Sequence, residues 1–157
     1  MKVADFFCGG GGFSEGFRQA GFEIVFAVDN WSPAVKTYKG NNLGINVIQD
    51  DVIRISQLPD DEFNALVPDT EIIIGSPPCK SFSHSNKSGN ADKSIGIQLI
   101  EAYLRIIARK KFKPESILRY WVLENVPAVK NHIKEQYTAA DFGLEGDFVL
   151  RPHDGAS

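Results

Sequence analysis

The stretch "KVADFFCGGGGFSEGF", residues 2 to 17, decides how the chain folds. Its first six residues read as a buried β-strand that runs straight into Gly9, Gly10, Gly11 and Gly12. A helix is expected next, through Arg18 and Ala20, with Gly21 as its stop. A strand that empties into glycines and then a helix leaves backbone N–H groups open beside a ligand, with no side chain in the way. Nucleotide-type cofactors bind at such turns. Four consecutive glycines are entropically expensive for a turn with no further purpose. The dinucleotide fingerprint G-x-G-x-x-G nevertheless fails. Counting from Gly9 puts Ser14 in the last place, and counting from Gly10 puts Glu15 there. With no evident hydride-handling histidine either, a nicotinamide-dependent dehydrogenase is disfavoured.

Working outward, strands and helices alternate, which predicts an α/β fold with a mostly parallel sheet. "FEIVFAVD" (22–29) is a second strand. "WSPAVKTYKGNN" opens a helix, with Ser32 expected as N-cap and Pro33 at the first position. "INVIQ" (45–49) and "EIIIG" (71–75) are further strands, the latter rich in β-branched residues. Residues 76–93 are polar without periodicity and predict a mobile loop. Ile97, Ile100, Leu104 and Ile107 then follow a helical period. "YWVLEN" (120–125) is a fifth strand and "VPAVKNHIKEQY" a short helix. Beyond Tyr137 a loop or hairpin is expected.

Composition bounds the function classes. The chain has 157 residues, 43% hydrophobic and 24% charged, which fits one globular domain. No apolar run approaches the ~20 residues of a membrane span, and no signal-peptide pattern precedes Asp5. Two cysteines, Cys8 and Cys79, make a disulfide scaffold improbable and favour a reducing, cytoplasmic setting. A net charge of −3 gives no compositional sign of nucleic-acid binding. The basic run "RIIARKKFK" (105–113) reads as a solvated helix end.

Four further features carry chemistry. Asp29 closes the second strand 20 residues after Gly9, where an acid can accept both ribose hydroxyls. Asp51, in "QDDV", follows the third strand and suits an adenine amino group. Each acid alone is commonly a capping carboxylate; in this order after a glycine loop, the two favour an adenosine-containing ligand. Cys79 stands behind Pro77 and Pro78 at the exit of the fourth strand. A lone cysteine is usually packing, but two prolines stiffen the turn and suit a nucleophile presented at a fixed angle. Glu124 and Asn125 end the apolar "WVL" strand, at the sheet edge where open α/β proteins bind ligands. Apolar neighbours there would favour a proton-donating glutamate.

Taken in order, "DFFCGGGGFS", "VDN", "DDV", "GSPPCKSFS" and "ENV" resemble the cytosine-C5 DNA methyltransferases across residues 5 to 126. The resemblance implies a Rossmann-like, S-adenosyl-L-methionine-dependent fold, incomplete at its C-terminal end. It also implies methyl transfer to C5 of a flipped-out cytosine through a covalent Cys79 adduct at C6. Glu124 would contact N3, the Pro77 carbonyl would accept from the exocyclic amine, and Asn125 would brace the proline–cysteine turn. Phe7 would pack on adenine, Gly9 to Gly12 would line the methionine end, Asp29 would hold the ribose and Asp51 the adenine amine. Asn30 and Val52 complete the expected cofactor set, with S-adenosylhomocysteine as product and no metal. Either Asn30 or Trp31 takes the stacking role on adenine. Double-stranded DNA and a paired restriction endonuclease are the partners implied.

The chain departs from the family pattern in Lys80, where glutamine is usual. It also lacks a Gln-x-Arg-x-Arg segment and a target-recognition region. The expectation is a single partial catalytic domain, 1–157, inactive or nearly so alone. The tRNA-methylating relatives share Ser-Pro-Pro-Cys and Glu-Asn-Val, so the same chemistry on RNA is the alternative. A non-catalytic S-adenosylmethionine-binding module is another.

Overall fold

The computed structural model describes residues 1–78 and 93–152. Its centre is one five-stranded sheet in the order β3-β2-β1-β4-β5. The strands are β1 (Lys2–Phe6), β2 (Glu23–Asp29), β3 (Asn46–Gln49), β4 (Ile72–Gly75) and β5 (Tyr120–Leu123). Every pairing is parallel. Crossover helices therefore cover both faces, and the central strands read as nearly continuous apolar runs. β1 is the clearest case, buried from Val3 to Phe6.

The helices are α1 (Gly12–Gln19), α2 (Ser32–Asn41), α3 (Val52–Ser56), α4 (Asp60–Leu66) and α5 (Lys93–Lys111). One face of the sheet presents Ala4, Phe6, Phe26, Val28 and Ile73 to a core completed by Val52 and Ile55 of α3 and by Leu104 and Ile107 of α5. On the other face, Val3, Ile24, Ile72 and Ile74 pack with Phe13 and Phe17 of α1. Ala27 and Val47 pack there with Val35 and Tyr38 of α2. A 3₁₀ segment, Pro127–His132, stands where a short helix was expected. The hairpin anticipated beyond Tyr137 is β6 (Tyr137–Thr138) paired antiparallel with β7 (Val149–Leu150).

Three sequence expectations are corrected. Ser32 is the first helical residue of α2, not its N-cap; Trp31 takes that place in extended conformation. Asp29 Oδ1 accepts the Trp31 N–H at 2.9 Å, which anchors the backbone one residue earlier. The short helices α3 and α4 were not anticipated, because five and seven residues cannot display a helical period. The basic run at the end of α5 is not a solvated face. Arg105 Nε donates to the Phe142 carbonyl at 2.8 Å, and Arg109 donates to the Ser56 carbonyl at 2.9 Å and to Asp60 at 2.7 Å. Lys110 is buried, donating to the Val67 carbonyl at 2.6 Å and to Asp69 at 2.9 Å. These cations tie α5 to the α3–α4 segment.

Candidate active site at the C-terminal edge of the sheet

Strand register brings the relevant turns to one edge. Phe6 lies opposite Val28 on one side and Gly75 on the other; Gly75 lies opposite Leu123, and Asp29 opposite Gln49. The ladder continues one bond past the strand ends. Cys8 N donates to Val28 O at 3.0 Å, Ser76 N to Phe6 O at 3.2 Å and Glu124 N to Gly75 O at 2.9 Å. The turns after β1, β2, β4 and β5 thus leave the sheet level with one another. Strand order reverses between β1 and β4, and at such a reversal adjacent loops diverge to open a crevice.

The turn after β1 has two faces. Phe7 sits at φ 58°, and Gly9 and Gly11 at φ 54° and 101°. Positive φ is free for glycine and costly for phenylalanine, so the surroundings impose the Phe7 conformation. On the outer side, a Cβ added at Gly9 or Gly12 would meet nothing within 4 Å, and one at Gly10 only Thr37 Cγ2 at 3.6 Å. The backbone there is open to a ligand. On the inner side, a Cβ at Gly11 would stand 3.0 Å from Tyr38 Cδ2, so glycine is needed both for φ and for space.

Asp29 closes the turn. Its Oδ2 accepts the Gly9 N–H at 2.9 Å and its Oδ1 the Trp31 N–H at 2.9 Å. Each oxygen keeps a lone pair for a hydroxyl donor. Asn30 is exposed, its carbonyl accepting from Gln49 Nε2 at 3.3 Å, while the Trp31 ring is 68% exposed. Asp51 is exposed and caps α3, its Oδ1 accepting the Ile53 N–H at 2.8 Å. Val52 points its side chain into the main core, which leaves its backbone as the part able to meet a ligand.

At the turn after β4, Pro77 is buried and its carbonyl accepts from Asn125 Nδ2 at 3.1 Å. Asn125 Oδ1 in turn accepts the Val126 N–H at 2.8 Å, which fixes the orientation of the amide. The exit of β4 is thereby tied to the exit of β5. Below it, Gly75 faces the ring of Tyr103, whose Cδ2 and Cζ would lie 2.8 Å from an added Cβ. Tyr103 OH donates to the Val122 carbonyl at 2.6 Å. Glu124 is exposed, without the apolar wrapping anticipated from its sequence neighbours. Cys79 and residues 80–92 of the polar stretch expected to be mobile lie outside the described residues; Ser76 to Pro78 form the turn after β4, and Lys93 already begins α5.

Cys8 is no competitor as nucleophile. It is buried, and burial, reinforced by the charges of Asp5 and Asp29, pushes its thiol well above the usual range.

Sequence reasoning missed a polar chain beneath the glycine turn. Ser14 Oγ donates to Asp5 Oδ2 at 2.5 Å, and Tyr38 OH donates to Ser14 Oγ at 2.7 Å. The only signal was an aspartate in the middle of an otherwise apolar strand. A cavity of about 660 Å³ runs along the β5 edge, lined by Tyr120, Val122, Asn125, Val126, Ile133 and Val149.

The residues present fit an adenosine-type cofactor: an unobstructed glycine backbone, with a carboxylate at its margin retaining acceptor capacity. The C-5 cytosine-specific DNA methylase family matches residues 1–141. The type II methyltransferase M.HgiDI of Herpetosiphon aurantiacus is 37% identical over 150 residues, 93% of this chain and 43% of that protein. M.HindV of Haemophilus influenzae is 36% identical over 150 residues, 92% and 45% respectively. An E. coli prophage protein described as a DNA modification methyltransferase superposes with a TM-score of 0.60 at 31% identity, covering 82% of this chain and 33% of that one. The S. pombe Dnmt2 methyltransferase, with a TM-score of 0.56 and 24% identity, shares the fold. This chain spans less than half the length of each of these four. It belongs to the C-5 cytosine-specific DNA methylase family.

Proposed function

We propose that this chain supplies the cofactor-binding and nucleophile-bearing part of an enzyme that methylates C5 of cytosine in double-stranded DNA. The observation that carries the reading is the crevice between β1 and β4, where the glycine turn and the Ser76–Pro78 turn leave neighbouring strands at the same level. A methyl donor held on one turn would there face a nucleophile presented by the other.

When bound, S-adenosylmethionine supplies an electrophilic methyl group on its sulfonium. The chain's own residues do the rest. The glycine turn receives the methionine end on open backbone, Asp29 accepts the ribose hydroxyls, and Asp51 Oδ2, unpaired among the described residues, accepts the adenine amine. Phe7 and the exposed Trp31 ring bracket the base. Cys79, as thiolate, bonds to C6 of the extruded cytosine, while Glu124 gives or shares a proton at N3 so that charge does not accumulate on the ring. The electron pair released to C5 takes the methyl group. Loss of the C5 proton and expulsion of Cys79 restore the aromatic ring. The Pro77 carbonyl has a second lone pair for the exocyclic amine while the first holds Asn125. Duplex DNA as substrate and a companion restriction endonuclease are inferred from the type II names of the relatives. A cytoplasmic location is inferred from the sparse cysteines, which suit a reducing compartment.

Duplex DNA carrying 5-fluorocytosine tests this, because fluorine blocks loss from C5 and traps the adduct. With the intact protein and S-adenosylmethionine, a covalent complex is expected that disappears in Cys79→Ser. An adduct that survives that substitution removes Cys79 as nucleophile. Trapping on tRNA but never on DNA moves the substrate to RNA, and trapping on neither supports a binding module.

A further inference from the structure

Asp5 is wholly buried in the middle of β1, and its Oδ1 is the one buried side-chain oxygen or nitrogen without a hydrogen-bond partner among the described residues. Leaving such an atom unpaired is costly, more so when it is charged, so it requires a reason. The reaction above does not use it.

Its surroundings suggest one. Oδ2 receives Ser14 Oγ from α1, Ser14 Oγ receives Tyr38 OH from α2, and the same Tyr38 ring lies against Gly11. The tyrosine ring that packs against Gly11 is therefore linked, through Ser14, to the Asp5 carboxyl. Among the described residues, the ionisable groups acting on Asp5 or feeling its charge are Asp29 at the end of β2, Cys8 in the turn, Tyr38 on α2 and Tyr103 on α5, none of them a cation. Burial first, and then the Asp29 charge, push the Asp5 carboxyl up to about 7, against the pull of its Ser14 hydrogen bonds. It can change charge near neutrality.

We propose that Asp5 is a positioning residue for the glycine turn, acting through Ser14 and Tyr38, and that gain or loss of its proton re-sets the turn and with it the grip on the cofactor. The last step rests on the turn being the S-adenosylmethionine site. An ionised Asp5 accepts the Ser14 bond more strongly and adds a second negative charge to that of Asp29 beneath a ligand whose sulfonium is positive. Affinity for S-adenosylmethionine then rises with pH through the transition, by at most about tenfold per pH unit for one coupled proton. S-adenosylhomocysteine, with a neutral sulfur, responds less.

Two measurements on the intact protein decide it. Amide NMR of Gly9, Gly10 and Gly11 between pH 5.5 and 8.5 should titrate with a midpoint near that of Asp5 and go flat in Asp5→Asn. Tyr38→Phe keeps the ring but removes its hydroxyl, which weakens Ser14 as donor and raises the midpoint; a merely space-filling Tyr38 would leave the midpoint unmoved. Calorimetry with S-adenosylmethionine and S-adenosylhomocysteine over the same range supplies the second readout. A titration that persists in Asp5→Asn, or a Tyr38→Phe midpoint equal to wild type, overturns the positioning role. Turn amides that follow Asp5 alongside pH-independent affinity overturn the coupling. If the amides follow Asp5 while neither ligand binds, the positioning role stands and the cofactor reading fails.

Discussion

Helix α5 and the glycine turn bury polar groups in opposite ways. Along α5, Tyr103, Arg105, Arg109 and Lys110 reach acceptors 19 to 53 residues away, and each of the four side chains is paired. Under the glycine turn, Asp5 has one oxygen paired and the other without a hydrogen-bond partner among the described residues. A fully paired set rigidifies, and it can be exchanged for apolar packing at little net cost. A half-paired carboxyl stores unfavourable energy that only a change of protonation, or a ligand, relieves. The first region reads as a strut and the second as a device.

The largest effect that tests this contrast is on stability against pH. Asp5 rises from an ordinary 3.8 to about 7 on folding, so between those values the native state holds a proton that the unfolded chain has released. Stability must then fall as pH rises through that window and level off above it. The slope from this one group is about 1.4 kcal/mol per pH unit, and several kcal/mol is the ceiling for the whole window. Asp5→Asn should remove the slope and leave the variant more stable than wild type at pH 8, by urea denaturation. A variant less stable at every pH would mean that the carboxylate, not the neutral acid, is what the fold requires, and the contrast with α5 would collapse.

Second in size is Gly75→Ala, at the contact of the strut with the site. The new methyl would overlap the Tyr103 ring, which its hydrogen bond to Val122 O prevents from yielding. A loss of about 3 kcal/mol is expected from such overpacking, measured as a lowered denaturation midpoint with unchanged slope. A neutral result would show α5 to be far more compliant than its paired side chains indicate.

What was legible in the sequence follows the same division. β1, β2 and β4 were readable because both faces are covered, which makes their apolar runs continuous. That Asp29 would adjoin the glycine turn was readable, because its spacing from the glycines closes in a direct bond, Gly9 N to Oδ2. The basic run on α5 was misread because its acceptors, Ser56, Asp60, Val67 and Asp69, belong to a distant segment whose helices are too short to announce themselves. The Asp5 chain escaped for a related reason. Its members come from β1, α1 and α2, and only folding brings a strand aspartate under a helix serine and a tyrosine from the next helix. Periodicity reports which face is buried; it is silent on which buried polar groups will find each other.

The smallest effect separates pairing from packing in the strut. Lys110→Met keeps most of the stem's volume and removes the ammonium. Asp69 remains held by Lys113 at 2.8 Å and is partly exposed, so no charge is stranded. The Val67 carbonyl, at the end of α4, loses its donor. Leaving that acceptor unsatisfied should cost about 1–2 kcal/mol in chemical denaturation, and Asp69, with one cation fewer nearby, should titrate closer to its ordinary value. A stability equal to wild type would mean that the apolar stem carries Lys110's contribution and that the ammonium, 5.0 Å from the Phe63 ring centre, adds nothing. The strut would then be held by packing, and completeness of pairing would no longer distinguish it from the turn around Asp5.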